Sequence, residues 1–149
     1  MNKPSLSITS NEIADYLHKA SKKIMEDPLS NIDVLSDVGI VLTSIGIIRD
    51  FPSLKLLGDL FMDLPDKLRS LLSLKYSLVG TLGDIQSMVS KIVDESLTVI
   101  TKVLNELEDM FRRNEVASDL LLGALGSIYE LATVKLPSIS TVTTVEEEE

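Results

Sequence analysis

From Ile85 to Phe111 the chain holds neither proline nor glycine and carries two parallel apolar stripes. Val93, Leu97, Ile100, Leu104, Leu107 and Phe111 alternate spacings of four and three, a heptad seam. Ile85, Ile92, Val99, Val103 and Met110 form a second stripe beside it. Together the stripes cover about half of a helical cylinder. Asp94, Thr98, Thr101, Lys102, Asn105, Asp109, Arg112 and Arg113 fall on the other half. Glu108–Arg112 and Asp109–Arg113 are i,i+4 pairs in the favourable order, worth a few tenths of a kcal/mol each. Half-coverage exceeds what one partner helix needs, so this helix is expected to pack against two neighbours. A chain built around it is a helix bundle.

The remaining segments agree. At 149 residues the length suits one domain, and 44% hydrophobic residues with only 4% aromatics suit a core meshed through Leu, Ile and Val. "ITSNEI" begins a helix at Ser10: Thr9 caps it, Glu12 reaches back to the cap N–H, and Ile8 and Ile13 take the staple positions. Ile13, Leu17, Ala20 and Ile24 share one face, and Pro28 ends the helix. Ser30, with Asp33 three residues on, is read as the start of a second helix running to about Arg49. Ser53 caps a short third helix with Leu54, Leu57, Leu60 and Phe61. Pro65 fits the first turn of a fourth with Leu68, Leu71, Leu72 and Leu78. "VGTLGD" reads as a break, Asn114 or Ser118 as another, and Pro137 as the close of the last helix. No alternating strand pattern competes outside the Ser/Thr/Val tail. The fold class is therefore all-α, a compact bundle of five or six amphipathic helices with no sheet. Residues 1–9 are an N-terminal arm, 10–137 the helical domain and 138–149 a flexible acidic tail ending in four glutamates. "VLSDVGIVLTSIGII" and "VASDLLLGALGSIYEL", each followed by a Pro-Ser, echo one another as a duplicated unit would, with small insertions.

The chemistry is sparse. With no cysteine, disulfides, thiolate metal sites and cysteine nucleophiles are excluded. The single histidine, His18, falls on the polar side of the first helix and reads as a solvated imidazole, with no nucleophile or base to partner it. Asp94, Glu95, Glu106, Glu108 and Asp109 read as a solvated face, and no Glu-x-x-His pair offers a bundle metal site. Neither glycine-rich phosphate motif is present. Lys19, Lys22 and Lys23 sit late in the first helix, where they complement its dipole, and Lys67, Arg69 and Lys75 are scattered among leucines. A formal net charge of -9 argues against nucleic-acid binding. These readings predict no catalytic, cofactor-binding or metal residues, no cofactor and no enzyme activity.

The run "VGIVLTSIGII", Val38 to Ile48, is flanked by Asp37, Arg49 and Asp50 and falls short of the roughly 20 apolar residues that span a bilayer. No transmembrane segment is expected. "MNKPSLSITSNE" lacks an apolar leader region, and a cytoplasmic location is expected. On a helical wheel Val38, Val41, Leu42, Ile45 and Ile48 form the main face, Ile40 and Ile47 point the other way, and Gly39, Thr43 and Gly46 form a small-residue strip fit for close backbone approach. In the last helix Leu121, Ala124, Leu125, Ile128 and Ala132 form the main face while Leu122 and Tyr129 point elsewhere. Ile40, Ile47, Leu122 and Tyr129 are the candidate partner interface.

"IGIIRDFPSLKLLGDLF", Ile45 to Phe61, resembles the signature of a family of small uncharacterised helical proteins encoded beside heterodisulfide-reductase-like or formate-dehydrogenase subunits. Its pattern is an apolar turn, Arg-Asp, a proline and a glycine eight residues after the aspartate, here Ile47, Ile48, Arg49, Asp50, Pro52 and Gly58. Phe51 is inserted before the proline, and the motif sits mid-chain instead of near the C-terminus. The resemblance implies an accessory protein of a redox complex, with no catalytic residues to carry over. The function expected is a non-enzymatic helical adaptor that docks on other protein subunits or on its own copies through apolar helix faces. The alternatives are a self-assembling structural protein, such as a virion or scaffold component, and a membrane-surface amphipathic protein. The acidic charge disfavours the last.

Overall fold

The computed structural model describes residues 9–76, 83–115 and 117–136. The described residues form no strand, and the fold is all-α. The helices are α1 (Ser10–Glu26), the single turn α2 (Pro28–Asn31), α3 (Val34–Ile48), α4 (Pro52–Lys75), α5 (Gly83–Arg112) and α6 (Ser118–Glu130), which continues as a π-helical turn over Leu131–Lys135. The acidic tail, Pro137, Ile8 and most of "VGTLGD" lie outside the described residues.

Helix α1 begins where the capping box places it. The Thr9 hydroxyl oxygen accepts the Glu12 N–H at 3.2 Å. Glu12 does not reach the cap N–H; its carboxylate accepts the Thr9 hydroxyl instead, at 3.1 Å. Ile13, Leu17, Ala20 and Ile24 are all buried. The next start lies earlier than Ser30. Asp27 ends α1 and its carboxylate accepts the Ser30 N–H, so Pro28 takes the first position of α2, where its missing N–H costs nothing. Asn31 donates to the Lys23 and Asp27 carbonyls, satisfying the end of α1, and the chain turns at Ile32 and Asp33 before α3.

Two tight turns close their helices in the same way. At the end of α3 the Phe51 N–H reaches the Gly46 carbonyl and the Asp50 N–H reaches Ile47, with Asp50 at φ 54°. At the end of α5 the Glu115 N–H reaches Met110 and the Asn114 N–H reaches Phe111, with Asn114 also at φ 54°. Both are Schellman closures with a left-handed residue where glycine is commonest. Pro52 then opens α4 at its first turn.

The expected third and fourth helices are one. Helix α4 runs 24 residues with Pro65 inside it, and Ser53 is not its cap. Proline in a helix interior loses one backbone hydrogen bond and costs about 3 kcal/mol. Here Leu64 and Leu68 on either side are fully buried, as are Leu57, Phe61 and Leu72. Each such side chain contributes roughly 1.5–3 kcal/mol on burial, so the continuous stripe outweighs the missing bond.

Helix α5, 30 residues long, packs against α1, α4 and α6, one neighbour more than its pattern suggests. Against α1 it runs antiparallel, with polar pairs along the seam: Ser10 with Asn114, Asp15 with Arg112, His18 with Glu108, and Ser21 with Asn105. Both predicted i,i+4 pairs form, Glu108–Arg112 at 3.0 Å and Asp109–Arg113 at 3.2 Å. Thr101, expected in solvent, is buried, and its hydroxyl donates back to the Leu97 carbonyl. Ser96 does the same to Ile92.

Helices α3 and α4 make the closest contact. A Cβ added at Gly39 would lie 2.6 Å from the Gly58 carbonyl oxygen, and one at Gly46 would lie 2.5 Å from the Lys55 nitrogen. One at Gly58 would lie 2.5 Å from the Thr43 nitrogen. Backbone meets backbone along the predicted small-residue strip, and Gly58 is the crossing point on α4. The helical stretch Pro28–Ile48 is 21 residues long with mean hydropathy 1.6, so by length and composition it can cross a membrane. In this fold it is interrupted at Ile32–Asp33, and Leu35, Val38, Leu42 and Ile45 are buried in the core.

Candidate functional site

Helix α4 presents one further stripe away from the core, in the turns before Pro65: Leu56, Asp59, Leu60 and Asp63. Helix α6 presents a matching stripe, Leu122, Leu125, Gly126 and Tyr129. Both follow the spacing i, i+3, i+4, i+7, and between them lies an open groove of about 430 Å³. Leu56, Leu122 and Tyr129 are exposed at 52%, 57% and 58%. A Cβ placed on Gly126 would meet nothing within 4 Å. The floor of the groove is aliphatic, and its charged groups are two carboxylates one helical turn apart on α4.

Those carboxylates differ. Asp59 is held by Lys55 Nζ at 2.9 Å and by the Thr43 hydroxyl at 3.2 Å. Asp63 is exposed and has no ion-pair partner among the described residues.

Leu122 and Tyr129, two of the four predicted interface residues, therefore share one groove. Ile40 and Ile47 lie on α3, exposed at 54% and 60%, and do not line it. Leu56, Leu60, Asp59 and Asp63 escape sequence reasoning. They line the groove only through the placement of α6 beside α4, and Leu60 is only half-buried there, not a core residue like Leu57. The one available signal is phase, since Leu56, Leu60 and Asp63 fall out of step with Leu54, Leu57 and Phe61.

The other singled-out residues have structural employment. His18 is exposed, as expected, but its Nδ1 lies 3.2 Å from the Glu108 carboxylate, so it is not without a partner. Glu106 and Glu108 are half-buried, not solvated. Glu108 and Asp15 both accept from Arg112 and hold its guanidinium in the charged form more firmly than usual. Lys75 pairs with Asp94, whose hydrogen bond raises the Lys75 ammonium above its ordinary value. Arg69 pairs with Asp33, and Lys67 donates to the Ala132 carbonyl in the π-helical turn at 2.6 Å. Lys19, Lys22 and Lys23 are exposed on α1. A second open cleft of about 590 Å³ lies along α5 beside Leu120 of α6, lined by Thr98, Thr101, Lys102, Asn105, Glu106 and Asp109. Among the described residues, no three His, Asp or Glu side chains are grouped so as to hold a metal ion.

Comparison with family models, curated proteins and solved structures finds no match.

Proposed function

We propose that this chain is a non-enzymatic helical accessory protein, an adaptor that docks on other protein subunits in the cytoplasm. The observation that carries the reading is the α4/α6 groove. Leu56, Leu122 and Tyr129 stay more than half exposed around an aliphatic floor, although the bundle has a filled core of its own. Removing each such side chain from water contributes on the order of 2 kcal/mol, so three of them make an energetically useful anchor. Helix-in-groove recognition seats the apolar face of an amphipathic helix in an aliphatic groove of this kind. The resemblance over Ile45–Phe61 supports a redox-complex subunit as the partner.

A second reading, self-assembly, is favoured by Ile40 and Ile47. They form an apolar face on a different helix from the groove, and two unlike faces on one chain are what head-to-tail association requires.

Affinity purification of the tagged chain from its native cells tests both. Wild type is expected to elute with a stoichiometric second polypeptide. The Leu122→Glu/Tyr129→Glu variant is expected to elute alone, with an unchanged far-UV circular dichroism spectrum. A wild-type chain that elutes as an unaccompanied monomer by light scattering overturns both readings. A mass that is a multiple of the chain, with no second polypeptide, selects self-assembly.

A further inference from the structure

Helices α3 and α6 are built on one plan, and only one of them is covered. Placing Ser44–Ile45 on Ser127–Ile128 puts the buried Val38 and Ile45 on the buried Leu121 and Ile128. The same shift puts the strip Gly39, Thr43 and Gly46 on Leu122, Gly126 and Tyr129. On α3 that strip is covered by α4, seated with its backbone against the glycines. On α6 it forms one wall of the open groove. On α3 these positions receive another helix in backbone contact; on α6 only Gly126 among them is small, so a helix seated there would approach closely at Gly126 and rest on Leu122 and Tyr129 to either side.

Charge narrows the choice of helix. The groove holds two carboxylates, and Lys55 neutralises only Asp59. Asp63 stands at the rim without an ion-pair partner among the described residues, on a chain of net charge -9. A second copy brings the same negative charge, and the chain's own Glu146–Glu149 run brings four more carboxylates. Both are mismatched to Asp63.

We propose that the α4/α6 groove receives an amphipathic helix of a partner protein, with lysine or arginine flanking its apolar face and a small residue where it crosses Gly126. The proposal rests on the adaptor reading above and specifies the partner's chemistry. Its apolar anchors lie between Leu56 and Leu122, and one of its cations pairs with Asp63.

The probe is a fluorescent synthetic peptide of leucine, alanine and lysine, with lysines flanking the leucine face and one glycine at its centre. It is titrated into the full-length chain and followed by anisotropy. Saturable one-to-one binding is expected, with none for the counterpart carrying glutamate in place of lysine. Asp63→Lys is expected to weaken binding about tenfold, and Glu26→Lys, exposed on α1 outside the groove, to have little effect. Gly126→Leu fills the crossing point and is expected to weaken binding to a similar degree with an unchanged dichroism spectrum. Equal weakening by Asp63→Lys and Glu26→Lys would mean diffuse charge attraction and would overturn the proposal. So would equal binding of the glutamate peptide, indifference to Gly126→Leu, or a wild-type dimer that Gly126→Leu makes monomeric. If the native partner is lost in Leu122→Glu/Tyr129→Glu while the peptide results fail, only the partner's chemistry is wrong. If no native partner exists, the adaptor reading falls with it.

Discussion

Replacing Gly58 by alanine tests the α3/α4 crossing with one methyl group. In an exposed helix interior, Gly→Ala stabilises by roughly 0.5–1 kcal/mol, because the unfolded chain loses freedom. At Gly58 the new Cβ would lie 2.5 Å from the Thr43 nitrogen and 2.7 Å from the Gly39 carbonyl oxygen. Both are backbone atoms of α3, so no rotamer change relieves the clash and the two helices must separate. Overpacking of this kind costs about 1–3 kcal/mol, and backbone-on-backbone contact puts Gly58 at the upper end. With the propensity gain subtracted, the net cost is about 2 kcal/mol. Gly126→Ala is the matched control, since its Cβ meets nothing within 4 Å and only the propensity gain remains. Urea denaturation followed by far-UV circular dichroism should move the midpoint down for Gly58→Ala and slightly up for Gly126→Ala, with the slope unchanged in both. Stabilisation by Gly58→Ala equal to that by Gly126→Ala would refute the close crossing.

Asp50 sits at φ 54°, where a non-glycine residue costs about 1–2 kcal/mol, so Asp50→Gly should raise the denaturation midpoint and Asp50→Val should lower it. The Tyr16 phenol is raised above its ordinary 10.0, first by burial and then by the Asp37 carboxylate. A raised folded value gives stability that is complete below the unfolded value and lost as pH rises through the folded one, so the melting temperature should fall above about pH 10. Lys75, raised from 10.5 by its hydrogen bond to Asp94, acts in the same direction; Tyr16→Phe should remove its own share of the loss, and a drop of the same size in the variant would show that Tyr16 is not responsible. Ile40→Glu with Ile47→Glu should shift unfolding free energy by no more than about 0.5 kcal/mol per site, as exposed positions do. Loss of helicity in that variant, measured by circular dichroism, would mean that the two isoleucines serve the core and would sink their reading as an interface.

What the sequence made legible was whatever depends on one helix at a time. The capping box at Thr9–Glu12, the double stripe of α5 and the glycine strip of α3 are periodicities, and each maps onto one face of one element. Reading failed where two terms of opposite sign compete at one residue. Pro65 marks a helix start locally, but the fully buried leucines on both sides of it hold α4 together across the missing hydrogen bond. Asp27 likewise ends α1 and caps the next turn, which begins at Pro28, two residues before the predicted cap Ser30. The groove was half legible. Leu122 and Tyr129 stand out of phase with the core face of α6, whereas Leu56, Asp59 and Asp63 join them only through the relative placement of two helices distant in sequence.

The distinctive residues of the Ile45–Phe61 stretch all have local structural duties. Arg49 caps α3, Asp50 supplies the left-handed residue of the Schellman closure, Pro52 opens α4, and Gly58 is the crossing point against Gly39 and Thr43. The stretch encodes a tight hairpin of two helices in backbone contact. Any chain that needs that hairpin is under the same demand for a turn residue, a first-turn proline and a glycine one crossing further on. The hairpin in turn fixes what remains outside. With α3 on one flank of α4, the core beneath it and α6 on the other flank, the free edge of α4 is left with Leu56, Asp59 and Asp63. These residues therefore build the scaffold, and the groove proposed to receive a partner is lined by others: Leu56 and Asp63 on α4, and Leu122, Gly126 and Tyr129 on α6.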